Sequence, residues 1–159
     1  MALTNSYRNK IVNSLTARGS DLTSSGTSVY IGLSSTPPNP DGTGITEPVG
    51  NGYGRALIGT YNQSSTYLFG AAVDGEAVNE KYIYFPEATG SWGAQLTHFV
   101  LFTNQTSSSS QYVLAYAKLT NNGEDAPITV TAANTVVLFR PGDLVIKYVD
   151  AITETESAT

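Results

Sequence analysis

The chain has 159 residues, a length suited to one domain with a real core rather than to two full ones. Charged residues make up only 13% and the net charge is −5, against roughly 25% charged residues in ordinary soluble domains. Eight scattered Lys and Arg residues exclude a phosphate-binding surface, so neither nucleic acid nor an anionic membrane is an expected partner. The absence of cysteine excludes disulfides, thiolate metal sites and a cysteine nucleophile.

The N-terminus carries no basic stretch followed by an apolar one, and no apolar run approaches the roughly 18 residues of a membrane span. The chain is therefore expected to fold in the cytoplasm of the cell that makes it. Residues 3–18 predict one helix, because Leu3, Tyr7, Ile11 and Leu15 recur every fourth position and Val12 widens the stripe. Thr4, Asn5 or Ser6 caps its start, and Gly19 supplies its stop signal. The stripe must dock on this subunit's own sheet or on a neighbour.

From residue 28 the period changes to two. Val29, Ile31 and Leu33 alternate with Tyr30, Gly32 and Ser34, the pattern of a strand with one buried face. Further strands are expected near 53–60, 66–73, 80–85, 96–103, 112–119, 127–131, 135–139 and 143–149. Leu96 to Phe102 is nearly all apolar and reads as a central strand. Between them lie a proline-rich loop from Ser34 to Gly44, a loop from Pro86 to Gly93, a serine-rich tip at Thr106–Ser110, and turns at Asn121-Asn122-Gly123 and Pro141-Gly142. The polar stretch from Ile152 to Thr159 reads as a disordered tail. The whole predicts a mainly β fold: an antiparallel, jelly-roll-like sandwich over 28–149, an N-terminal helix and linker over 1–27, and a tail over 150–159.

Chemistry is sparsely provided for. His98, the single histidine, lies in the apolar stretch Leu96-Thr97-His98-Phe99-Val100 and reads as a structural residue bonded to a backbone group. A zinc site lacks ligands. Asp41, Thr43 and Glu47 could offer oxygens to calcium, but their spacing matches no EF-hand loop and an ordinary turn is the simpler reading. Thirteen acidic residues always permit carboxylate pairs, of which Asp41 and Glu47 are the best placed, around a loop that looks mobile. No catalytic residue, metal or cofactor is therefore expected. Ten tyrosines and one tryptophan are many for this length and suit either subunit contacts or sugar faces. Tyr7, Ile11, Tyr30, Tyr53 and Trp92 are the candidate interface or ligand contacts. Trp92, between glycines, is expected to be a loop anchor at least half buried.

Several segments resemble a family of small bacteriophage virion proteins, commonly labelled tail-fibre proteins. The resemblance is carried in order by Tyr30-Ile31-Gly32-Leu33-Ser34-Ser35-Thr36-Pro37-Pro38, by Gly42-Thr43-Gly44-Ile45-Thr46-Glu47-Pro48 and by Gly52-Tyr53-Gly54-Arg55. It continues through Phe85-Pro86-Glu87-Ala88-Thr89-Gly90-Ser91-Trp92-Gly93, Thr97-His98-Phe99-Val100-Leu101-Phe102, Leu114-Ala115-Tyr116 and Pro141-Gly142-Asp143-Leu144. It implies a virion component, assembled in the host cytoplasm, that packs as a decoration, adaptor or fibre-associated subunit. Its expected partners are copies of itself, most simply as a trimer, and other virion proteins. A carbohydrate- or receptor-binding module at a fibre tip, holding a host surface glycan, is the alternative. The Thr-Glu-Pro, Tyr-Gly-Arg and Trp92 segments are then fold-defining turns and packing anchors.

Overall fold

A computed structural model describes residues 4–19 and 26–149. Leu3 and the tail 150–159 lie outside the described residues. The fold is mainly β with one N-terminal helix, and the ladders with an assigned register are antiparallel. The described residues form two compact units, one of residues 28–58 and 83–139 and one of residues 4–19, 26–27, 59–82 and 140–149.

The first unit holds β1 (Ser28–Ser34), β4 (Ile83–Tyr84), β5 (His98–Phe102), β6 (Val113–Lys118), the short pair β7 (Thr120–Asn121) and β8 (Glu124–Asp125), and β9 (Leu138–Phe139). β2 (Ala56–Thr60) begins in it and runs across its boundary. The main sheet has the order β2-β1-β5-β6. β5 is central, as its apolar run requires, with Tyr30 opposite Phe102 on one side and Val100 opposite Tyr116 on the other. Val29, Ile31 and Leu33 are at most 1% exposed, so the period-2 pattern marks the buried face. β4 pairs with β9, placing Ile83 opposite Phe139.

The second unit is built on α1 (Asn5–Leu15), β3 (Glu76–Val78) and β10 (Val145–Lys147). β3 and β10 pair with Ile146 opposite Ala77. One expectation is extended here and one corrected. Of the expected stripe Val12 is buried and Ile11 and Leu15 are half buried; Asn9, Asn13 and Thr16, which join Val12 in a row spaced i, i+3, i+4, i+7, add polar positions that the stripe did not name. Asn13 Oδ1 accepts from Ala72 N at 2.7 Å, Asn9 Oδ1 accepts from Gly75 N, and Val12 is buried between them. Polar side chains that satisfy turn amides thus share the helix's packed side with the apolar stripe. The helix also ends earlier than Gly19. Ala17 takes the left-handed conformation at φ 62°, and Arg18 N and Gly19 N both close on Asn13 O.

A hairpin replaces the strand expected over 66–73, where two isolated bridges form, Phe69 to Asn79 and Val73 to Glu76. Val73 and Glu76 exchange both backbone hydrogen bonds across Asp74-Gly75, whose φ values are 51° and 77°. That is a type I′ turn, which needs positive φ at both central positions and so favours Asp-Gly. Residues 127–131 likewise contribute a single bridge, Ile128 to Leu96, rather than a strand. The serine-rich tip is also more tightly held than its composition suggests. Asn104 Oδ1 accepts from Thr106 N and Ser107 N, at 2.9 and 2.7 Å.

Candidate functional site

The strongest polar constellation lies in the unit carrying the main sheet, and it joins two of the segments read above as turns. Arg55, 6% exposed, precedes β2, and Glu47 follows the proline-rich loop by three residues. Arg55 Nε donates to Glu47 Oε1 at 3.0 Å while its Nη2 pairs with Oε2, a two-pronged ion pair. Arg55 Nη1 donates to Asn104 O at 2.6 Å and Ser107 O at 2.9 Å, which fastens the serine-rich loop. The guanidinium lies 3.2 Å from the centroid of the Phe102 ring. Tyr53 Oη donates to Glu47 Oε1 at 2.6 Å and accepts from Leu33 N at 2.9 Å. Burial, followed by the Glu47 charge, pushes the Tyr53 phenol far above its ordinary value, so it stays protonated.

The cluster needs a glycine beneath it. A Cβ at Gly32 would stand 2.5 Å from Glu47 Oε1 and 3.0 Å from Phe102 Cε2. Gly32→Ala is therefore expected to lower stability by about 1–3 kcal/mol through overpacking, a change measurable by urea titration. Wild-type stability in that variant would show the ion pair to be loosely held.

Trp92 is 6% exposed and makes an edge-on contact with Tyr53, ring centroids 5.1 Å apart, with Phe85 beside both. Its Nε1 donates to Asn51 O at 3.0 Å, in keeping with the loop-anchor reading. Asn51 sits in a run of left-handed residues, Gly50, Asn51 and Gly52, that brings the loop against residues 87–89. At Gly52 a Cβ would meet Glu87 O at 2.5 Å, so only glycine fits.

Of the residues singled out from the sequence, Tyr53 and Trp92 come together. Tyr30 is half buried on β1, and Ile11 is half buried on α1 in the other unit. Tyr7 lies within α1, and its side chain is outside the described residues. Arg55, Glu47 and Phe85 were missing from the candidate contacts. Their signal was the recurrence of charged and aromatic residues inside glycine- and proline-bounded segments.

Asp41 and Glu47 do not share a cleft. Glu47 lines an opening of about 360 Å³ with Ile45, Val49 and Gln105, whereas Asp41 lines another of about 320 Å³ beside Val113 and Tyr116. Asp41 Oδ1 accepts from Thr43 Oγ1 at 2.6 Å and from Thr43 N at 3.0 Å, and those bonds hold its carboxyl below the usual 3.8. The loop that carries it is fastened rather than loose: Ser35 N donates to Thr46 O, Asn39 N to Thr43 O, and Thr36 Oγ1 to Gly44 O.

His98 is half buried, and its Nδ1 lies 2.8 Å from Thr97 Oγ1, a hydroxyl in place of the expected backbone partner. Burial, and then the charge of Lys118 opposite it on β6, hold its pKa below 6.5, with Asp125 opposing. The folded chain thus releases this proton more readily than the unfolded one. Its contribution to stability is complete above 6.5 and is lost as pH falls through the folded value. Histidine NMR titration should give a midpoint below 6.5, moving upward in Lys118→Ala. A midpoint at or above 6.5 in the wild-type chain would contradict this account.

Charged and aromatic motif residues that saturate one another inside loops define a structural β protein, one whose distinctive residues hold its own loops in place. The family model described as podophage GP4 fiber I protein gp80 matches residues 2–146, and the chain belongs to that family of phage fibre proteins. It is accordingly a virion component with a structural role. Among curated proteins, none matches the chain.

Proposed function

We propose that the chain is a multi-copy packing subunit of the fibre region, a self-associating adaptor or decoration piece that works through protein contacts and carries no catalytic site. The observation that supports this reading most is the saturation of the Glu47–Arg55–Tyr53 cluster. Both Glu47 oxygens, the Arg55 Nε and Nη1 groups and the Tyr53 hydroxyl have protein partners. Groups so engaged hold loops; they do not offer a free acid, base or nucleophile. Low surface charge and many tyrosines suit repeated contacts between copies, where symmetry reuses one modest surface. Localising the tagged chain in a particle reconstruction tests this. Several copies seated against one another or against tail proteins support it, and a single isolated copy with exposed flanks counts against it.

A second reading, a neutral-glycan contact, is favoured by one cleft. Ile45, Pro48 and Val49 line it with apolar groups, Val49 being 93% exposed, and Gln105, Thr106 and Ser108 add amide and hydroxyl groups. Binding on an array of host surface glycans, lost in Gln105→Ala or Val49→Asp, would favour it over a purely structural role.

A further inference from the structure

We infer that the outer edge of β6 is the surface through which two copies of this chain pair, strand to antiparallel strand, about a two-fold axis at Tyr116. The inference rests on the self-association proposed above and names its contact.

The two edges of the main sheet differ. In β2 every residue but Leu57 is buried, whereas β6 runs from half-buried Val113 to exposed Tyr116, Ala117 and Lys118. The phase of its hydrogen bonds follows from its neighbour. Leu119 N donates to Thr97 O, so Ala117 and Ala115, opposite Phe99 and Leu101, also turn their backbone groups toward β5. Tyr116 and Lys118 lie at the alternate positions, and their N–H and C=O groups point away from the sheet. Among the described residues no hydrogen bond reaches these outward groups. An exposed strand edge of this kind is a template for another strand.

The edge is short and ends in a lysine, the usual guard against such pairing. Here the ammonium is drawn aside by Asp125, 2.7 Å away, in a pair whose side chains are 50% and 64% exposed and so exchange readily with other partners. What selects a second copy is complementarity along the same edge. Asp41 stands by the opposite end of β6, lining the cleft that contains Val113, Leu114 and Tyr116. Its Thr43 bonds keep it ionised. With Tyr116 opposite Tyr116 of the second copy, Lys118 of each copy lies opposite Leu114 of the other. Each ammonium is thereby carried to the end where Asp41 sits, and symmetry makes the attraction twice. The two tyrosine rings meet on one face as a cross-strand aromatic pair. An acidic peptide would set its charge against Asp41 and gain nothing from it.

The natural chain has no cysteine, which makes a cross-link unambiguous. Directly opposed, hydrogen-bonded residues have Cα atoms about 5.5 Å apart, within the roughly 4.4–6.8 Å a disulfide spans. Tyr116→Cys in the full chain should give a disulfide-linked dimer under mild oxidation, and Val49→Cys, 93% exposed against 37% at Tyr116 but distant in sequence from the edge, should not. In sedimentation at matched concentrations Tyr116→Pro should be monomeric with unchanged β-sheet circular dichroism, because the amide it deletes faces outward. Lys118→Glu should weaken association roughly tenfold or more at low salt, and adding Asp41→Lys should restore it. An oligomer undiminished by Tyr116→Pro and not cross-linked through residue 116 would overturn the β6 contact while leaving self-association standing. A monomer at every concentration would overturn both. Should Tyr116→Pro misfold, the Lys118→Glu and Asp41→Lys pair decides the matter alone.

Discussion

Arg55→Ala is expected to destabilise the unit that carries the main sheet by about 3–5 kcal/mol, the cost of leaving a buried charge without its partner. Glu47 would keep only the Tyr53 hydroxyl, Phe102 would lose the cation on its face, and the carbonyls of Asn104 and Ser107 would lose their donor. Urea unfolding followed by the fluorescence of the single tryptophan, in the same unit, reads this directly. The partner change Glu47→Gln should cost less, because the amide oxygen still accepts from Arg55. Replacing both residues by apolar ones of similar size, Arg55→Met with Glu47→Leu, should recover much of the loss, since it removes the orphaned charge rather than exposing it. As a control, the exposed pair Lys118–Asp125 should contribute no more than about 1 kcal/mol. Equal small effects at both pairs would show that burial does not strengthen the Glu47–Arg55 contact.

What the sequence disclosed was whatever depends on short-range period and turn chemistry. Val29, Ile31 and Leu33 named the inner face of β1, and the apolar run from Leu96 to Phe102 named the central strand. Asn122-Gly123 named the turn between β7 and β8. Other features escaped for definite reasons. The helix stripe marked Ile11, Val12 and Leu15, but it could not show that Asn9 and Asn13 cap backbone amides sixty or so residues away, because no local pattern announces a partner at that distance. The left-handed residue that ends the helix is Ala17 rather than the glycine two places on. A buried arginine is invisible to hydropathy, because Arg55 reads as surface until Glu47, Phe102 and two loop carbonyls are found around it. The candidate site was thus half legible. Tyr53 and Trp92 stood out as aromatics among glycines, whereas the ion pair that locks Tyr53 needed the fold to bring Glu47, just beyond the proline-rich loop, to the start of β2.

Trp92→Ala should be the other costly change, about 3–5 kcal/mol, as for buried aromatic side chains elsewhere. The ring fills the space between Tyr53 and Phe85, and Phe85 in turn rests on Phe139, so truncation opens a cavity in a connected aromatic cluster. The indole N–H separates two contributions. Trp92→Phe keeps most of the ring and gives up only the bond to Asn51 O, and that carbonyl still accepts from Thr89 N at 2.9 Å. Its cost should therefore be near the roughly 1 kcal/mol of one hydrogen bond, plus whatever the smaller ring leaves unfilled. Circular dichroism during urea unfolding is the appropriate readout, because both variants remove the fluorophore. The ordering wild type, then Phe, then Ala, with the larger step between Phe and Ala, is what a packing anchor produces. A sugar platform produces the reverse: stability indifferent to both changes, with glycan binding abolished by either.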